Sequence, residues 1–160
     1  MNEQHKEDLV ITRVFDAPLK RVWQAWSEPE YLKKWWGPKE YSCPDCEIEF
    51  RVGGKYLYSM QGTDGKKIWI TGNYKEIIPN QKIVFTDSFS DEKGNIVPSE
   101  DYGMQGIPLE MIVTVNLEEE NGKTKMTIIH EGFPAGEHHK GANIGWNSSF
   151  DKMAELLNQI

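Results

Sequence analysis

The sequence predicts one α+β domain: a curved antiparallel sheet of about six to seven strands wrapped around a long C-terminal helix, with two short helices after the first strand. Three observations carry this prediction. Several short segments alternate polar and apolar residues with period two, turn residues join them with no helix in between, and the last stretch places its apolar residues at helical spacing. Strands joined so directly pair antiparallel, because a parallel pair needs a long crossover. A sheet with one apolar face must be covered, and the final helix is the cover the sequence supplies.

The elements follow in order. Leu9 to Phe15 is rich in Val, Ile and Phe and stops at Asp16-Ala17-Pro18, where Pro18 suits a first helical turn. Val22, Trp23 and Trp26 then recur at helical spacing. After Glu28-Pro29 a second short helix carries Leu32, Trp35 and Trp36 to Gly37-Pro38. Ile48, Phe50 and Val52 alternate up to Gly53-Gly54, and Tyr56, Tyr58 and Met60 alternate up to Thr63-Asp64-Gly65. Lys67 to Ile78, Lys82 to Phe89, Leu109 to Leu117 and Lys123 to His130 continue the meander, with turns at Pro79-Asn80 and Asn121-Gly122. In the last segment Trp146, Phe150, Met153, Leu157 and Ile160 form one stripe on a helix about 30 Å long.

Two features predict that helix and sheet do not close fully. Gly141, Ala142, Gly145, Ser148 and Ser149 give the first half of the helix little volume, so a void should remain beside them. The stretch 90–108, with Gly94, Pro98, Gly103 and Gly106, reads equally as a long mobile loop gating the mouth of that void and as a hairpin tip with no role.

Composition excludes several classes. A chain of 160 residues that is 38% hydrophobic and 27% charged can bury a core and is not disordered by default. The residues are expected to form a single domain over 1–160, with 1–7 flexible. A net charge of −7 with no basic stripe argues against nucleic acid. No stretch approaches the roughly 18 apolar residues of a membrane span, and the N-terminus lacks a secretion signal, so a cytoplasmic location is expected. Asn147-Ser148-Ser149 matches a glycosylation acceptor but falls inside a predicted helix and is set aside.

The wording of the sequence adds a resemblance. Val14-Phe15-Asp16-Ala17-Pro18, Val22-Trp23, Ala25-Trp26, Pro29-Glu30 and Trp35-Trp36-Gly37-Pro38 resemble the activator of heat-shock-protein ATPase homologue family. Arg51 to Gly54 with Tyr56, Gly72 with Tyr74 and Glu76, Phe85-Thr86-Asp87, Gly132-Phe133-Pro134, and Gly145-Trp146 with Ser149-Phe150-Asp151 match in the same order. That family belongs to the START-like, or SRPBCC, superfamily. The resemblance implies the helix-grip fold, with a deep cavity used across the superfamily for apolar molecules. It also implies a possible chaperone partner, the role of the namesake co-chaperones, which carry a further N-terminal domain; this chain is expected to be a stand-alone member.

Cys43-Pro44-Asp45-Cys46 has the spacing for a redox pair or half a zinc site, but lacks a second pair and precedes a strand, so an incidental role is expected. His130-Glu131 begins like a zinc-protease motif, yet Pro134 occupies the second His position. His138-His139, placed in the link to the last helix, reads as surface. No metal or cofactor is expected. Alternation turns His130 inward with Met126 and Ile128, and turns Asp87 inward with Ile83 and Phe85. Arg13, His130 or a tyrosine is the expected partner of Asp87. The pair Asp87 and His130 would serve acid-base chemistry, and would serve structural pairing equally well.

The expected function is uptake of a small apolar or aromatic molecule between sheet and helix, without catalysis. The expected lining is Tyr58, Met60, Trp69, Phe85, Met111, Val113, His130, Trp146 and Phe150. Two alternatives stand beside it: a co-chaperone-like protein docking through its acidic surface, and a cyclase or hydratase with Asp87 and His130 as acid and base.

Overall fold

A computed structural model describes residues 6–134 and 136–159. The chain begins with β1 (Lys6–Phe15), crosses through α1 (Leu19–Ser27) and α2 (Pro29–Trp35), and returns as β2 (Cys46–Ile48), β3 (Lys55–Gln61), β4 (Lys67–Ile78), β5 (Lys82–Ser90), β6 (Met111–Glu120) and β7 (Lys123–Pro134) before α3 (Glu137–Leu157). The strands form one seven-stranded sheet in the order β1-β7-β6-β5-β4-β3-β2, and every neighbouring pair is antiparallel. Only β1 departs from the meander. It pairs with β7, so α1 and α2 carry the chain from one edge of the sheet to the other.

Turn chemistry fixes the register. Asn121 and Gly122 both take positive φ, 53° and 81°, as a two-residue hairpin turn requires, and the pairing from Glu120↔Lys123 to Ile112↔Glu131 runs on without a slip. At Gly72 a β-carbon would stand 1.9 Å from the Thr86 carbonyl oxygen and 2.6 Å from the Tyr56 ring. Glycine there lets β4 approach β5 while the Tyr56 hydroxyl donates to that same Thr86 carbonyl at 2.5 Å. The β4–β5 ladder is bulged between Tyr74 and Glu76, just past this point.

The core lies between the concave face and the helices. Val22, Ala25 and Trp26 from α1, Leu32 and Trp35 from α2, and Phe150, Met153, Leu156 and Leu157 from α3 are buried against Leu9, Ile11, Tyr56, Phe85, Val113, Val115, Met126 and Ile128. Trp35 donates its indole N–H to the Ala25 carbonyl at 2.8 Å and Trp26 donates to the Met126 sulfur at 3.3 Å, so both rings are buried with their polar edge satisfied. Polar clamps hold α3 on two sides. Arg13 of β1 donates to the Asn147 carbonyl and pairs with Asp151 at 2.8 Å. On the other side Lys152 donates to the Pro38 and Tyr41 carbonyls at 3.2 and 2.9 Å, and Ser148 accepts from the Lys39 amide at 2.7 Å.

The predicted architecture holds, with shifts at the boundaries. The helix begins at Glu137, so His138-His139 lie in its first turn rather than in a preceding link. β6 begins at Met111, leaving Leu109 outside the sheet and exposed. The segment Ile48 to Val52, read as strand, pairs only through Ile48, because the chain turns tightly at Arg51–Gly54. The stretch 90–108 is not structureless: Ser90 bridges Ile96, Asp91 accepts from the Lys93 and Asn95 amides, and Ser99–Tyr102 forms a 3-10 turn. The Tyr102 hydroxyl pins that turn to the sheet by donating to the Ser90 carbonyl at 2.5 Å and accepting from the Trp69 amide at 3.1 Å. The last member of the predicted stripe, Ile160, lies outside the described residues, as do residues 1–5 of the stretch read as flexible; β1 already begins at Lys6.

Candidate binding site

The two halves of α3 meet the sheet differently. The second half presents Phe150, Met153 and Leu157 and is packed tight. The first half presents Gly141, Ala142, Gly145 and Ser149, and a cavity of about 400 Å³ lies beside them. A β-carbon added at Gly141 would meet no atom within 4 Å, and one at Gly145 would only touch the Pro38 ring at 3.6 Å. The helix backbone itself is therefore part of the wall.

The opposite wall comes from alternate residues of three strands. Met60 of β3 faces Ile68 of β4 in the register, Ile70 follows two residues on, and Phe89 of β5 faces Ile70. His130 and Phe133 of β7 close one side, Trp36, Pro38 and Tyr41 after α2 close another, and Met104 and Ile107 of the 90–108 stretch lie at the rim. His138 lines this rim as well and its Nε2 lies 2.6 Å from the Gln105 carbonyl, so the first turn of α3 and the stretch are tied together. Beneath Pro108 and Met111 a crevice of about 70 Å³ continues from the cavity, and Asp87 stands on the wall of both.

The polar groups of this apolar space form a short chain. Trp146 donates its indole N–H to His130 Nδ1 at 3.1 Å. A nitrogen that accepts carries no hydrogen, so the His130 proton sits on Nε2. Asp87 Oδ2 is 3.1 Å from that Nε2, but off the N–H axis: the contact is a close electrostatic one and Nε2 has no aligned acceptor among the described residues. His130 is 3% exposed, whereas the Asp87 side chain keeps 17% exposure on the cavity side. The indole N–H of Trp36 is likewise buried without an acceptor among the described residues. Behind the wall, Tyr58 packs 4.9 Å from Trp36, and burial pushes its phenol well above the ordinary value of 10.0.

Of the residues expected as lining, Met60, His130 and Trp146 are on the cavity wall and Met111 is in the adjoining crevice. Tyr58, Phe85, Val113 and Phe150 are 0–3% exposed and form the core behind it. Trp69 stands on the other face of the sheet, opposite Ser59 and with the Lys67 ammonium 5.4 Å from its ring centre. Parity is the reason. Tyr58 and Met60 pair with Ile70 and Ile68, so the residue between them must point away. Asp87 has His130 as its neighbour, while Arg13 is taken by Asp151. Ile68, Ile70 and Phe89 were readable from the same alternation. Trp36 is legible as one of several tryptophans suited to an aromatic wall, whereas Met104 and Ile107 lie in an irregular segment, where no period places them.

Cys43 and Cys46 are both free; Cys43 is buried and Cys46 partly so. The Cys43 thiol donates to the Asp45 carbonyl at 3.3 Å, and the interaction between the two neighbouring thiols holds Cys46 below its ordinary value of 9.0 and, together with burial, holds Cys43 far above it. Among the described residues, no three His, Cys, Asp or Glu side chains converge in a way that would hold a metal ion. No described helix is long and apolar enough to cross a membrane.

A sheet curved around its C-terminal helix, with a cavity at the open end, defines the helix-grip class of the START-like proteins. The profile of the family described as "Activator of Hsp90 ATPase homolog 1-like protein" matches residues 16–158, and the chain belongs to that family. Among solved structures it is similar to protein CV1439 from Chromobacterium violaceum, with 30% identity, a TM-score of 0.78, and coverage of 94% of this chain and 96% of that one. A protein from Arthrobacter aurescens is 31% identical with a TM-score of 0.77, over 96% of this chain and 87% of that one. The AHSA1 (SPO3351) protein from Silicibacter pomeroyi, at 22% identity and a TM-score of 0.78 over 96% and 99% of the two chains, shares the fold. No curated protein matches the chain.

Proposed function

We propose that this protein binds a small, largely apolar molecule in the cavity between β3–β5, β7 and the first half of α3. The observation that carries the reading is a space of about 400 Å³ walled by Met60, Ile68, Ile70, Phe89, Trp36 and Trp146, in a domain whose other end is close-packed. Its volume falls within the range of roughly 300–1,000 Å³ common for small-molecule sites. Small side chains are kept where larger ones would fill it: Gly141, Ala142 and Gly145 share one face of α3. Mass spectrometry under native conditions, joined to a thermal-shift panel of apolar compounds, tests the reading. A bound mass or a concentration-dependent rise in Tm supports it. Neither, across a panel of varied size and shape, removes it.

The family description favours a second reading, stimulation of a heat-shock chaperone ATPase. The exposed run Glu118-Glu119-Glu120 at the end of β6 offers an acidic surface for such contact. A chaperone ATPase rate unchanged by a molar excess of this protein counts against that reading.

A further inference from the structure

Among the described lining residues the cavity has one carboxylate, and its placement bears on the headgroup of the occupant. Asp87 belongs to β5 and projects toward the concave side, at the junction of the main cavity and the crevice beneath Pro108. Its carboxylate has no aligned hydrogen-bond donor among the described residues. Its partner in a close electrostatic contact among those residues is His130 Nε2 at 3.1 Å, off axis. Nor does His130 bring a positive charge there, since its Nδ1 accepts from Trp146 and the ring is therefore the neutral Nε2–H form. Lys152, the cation clamping the middle of α3, is turned to the Pro38 and Tyr41 carbonyls, and Arg13 is committed to Asp151. A carboxylate largely withdrawn from water, beside apolar walls and without a donor, is left with acceptor capacity that a ligand can use.

Building on the proposed binding role, we infer that the occupant is an apolar molecule with a hydrogen-bond-donating headgroup, a hydroxyl or a protonated amine, placed on Asp87. Anionic lipids and fatty acids are disfavoured. A ligand carboxylate at this position would face the Asp87 carboxylate at short range in a poorly solvated space, and among the described residues of the wall no lysine or arginine stands there to offset the repulsion; the N–H groups of His130 and Trp36 are the remaining donors, and His138 lies out at the rim. A purely apolar ligand would bury the carboxylate without a partner. A donor headgroup avoids both costs, and the aromatic rings of Trp36, Trp146 and Phe133 around the site favour a cation further if the headgroup is an amine.

Four probes sharing one ring system separate these cases: 2-naphthol, 2-naphthylmethylamine, 2-methylnaphthalene and 2-naphthoate, titrated calorimetrically into the full chain and into Asp87→Leu. The donors are expected to bind at least about tenfold more tightly than 2-methylnaphthalene, with 2-naphthoate the weakest. In Asp87→Leu the four affinities should draw together while 2-methylnaphthalene binds as well as before or better. The order of naphthol and amine tells which donor the site favours. Equal affinities in the wild type, a preference for 2-naphthoate, or an order unchanged in Asp87→Leu would overturn the headgroup inference and leave the cavity reading standing. No binding of any probe would remove both. Should Asp87→Leu fail to fold, Asp87→Asn supplies the comparison, since loss of the charge alone must bring 2-naphthoate closer to the others.

Discussion

The closed and open ends of the interior are built from the same sheet and the same helix, yet they differ in one respect, side-chain volume on α3. At the closed end Phe150 lies 6.0 Å from Trp35 and 6.3 Å from Trp26, and Met153 is fully buried. At the open end, one to two turns earlier, Gly141, Ala142 and Gly145 face Met60, Ile68 and Phe89 across a gap. The joint between them is Trp146, stacked on Phe150 at 5.4 Å on one side and bordering the cavity on the other. Close packing is thus concentrated in one half of α3 and open space in the other, and the polar contacts of Arg13 and Lys152 fasten the helix on its two sides.

This contrast can be broken at its strong end first. Phe150→Ala should cost roughly 3–5 kcal/mol, because the ring touches close-packed neighbours that cannot follow it. Urea unfolding measures it, and a loss below about 1 kcal/mol would show that the closed end is not the anchor. Gly72→Ala should cost about 3 kcal/mol, since the new methyl meets backbone at Thr86 and the Tyr56 ring rather than a movable side-chain tip. Asp151→Ala should cost less than about 1 kcal/mol and lose its effect at high salt, as its carboxylate is 74% exposed. Ala142→Leu, at the open end, should change stability by no more than about 0.5 kcal/mol, because its side chain enters vacant space.

The smallest expected effect concerns pH and lies on the outer face. Hydrogen bonds from Lys67 and Ser59 hold the Asp45 carboxyl below its ordinary value of 3.8. The folded state therefore favours the ionised form. Its contribution is fully present above about pH 4 and fades as pH falls through the lowered folded value. The acid limb of stability in Asp45→Asn should be shallower than in the wild type by a small margin, measured by urea midpoints from pH 5 to 2. Identical limbs would show that the lowered value has no bearing on folding.

Much of this was legible in the sequence, for a physical reason. Period-two strands, Asn-Gly turns and a helical stripe are local patterns, and they gave the sheet, the meander and the cover. The glycines and serines of α3 marked the open end because missing volume is visible without knowing what it faces. The failures share a cause. Trp69 is expected on the wall, while its pairing with Ser59 turns it to the other face. Tyr58, Phe85 and Val113 have the right parity and Phe150 the right helical face, yet the boundary between core and cavity depends on how far α3 stands from each strand, which no local pattern encodes. Met104 and Ile107 reach the cavity from an irregular segment that only tertiary contacts position.

The central claim is that the space beside Ala142 receives a ligand, and a titration with the fluorescent apolar probe N-phenyl-1-naphthylamine tests it most directly. Wild-type protein should give saturable, one-to-one enhancement, and Ala142→Leu should lose it while keeping its Tm within a degree or two. Enhancement that never saturates in the wild type, or that is unchanged in Ala142→Leu, would contradict the account.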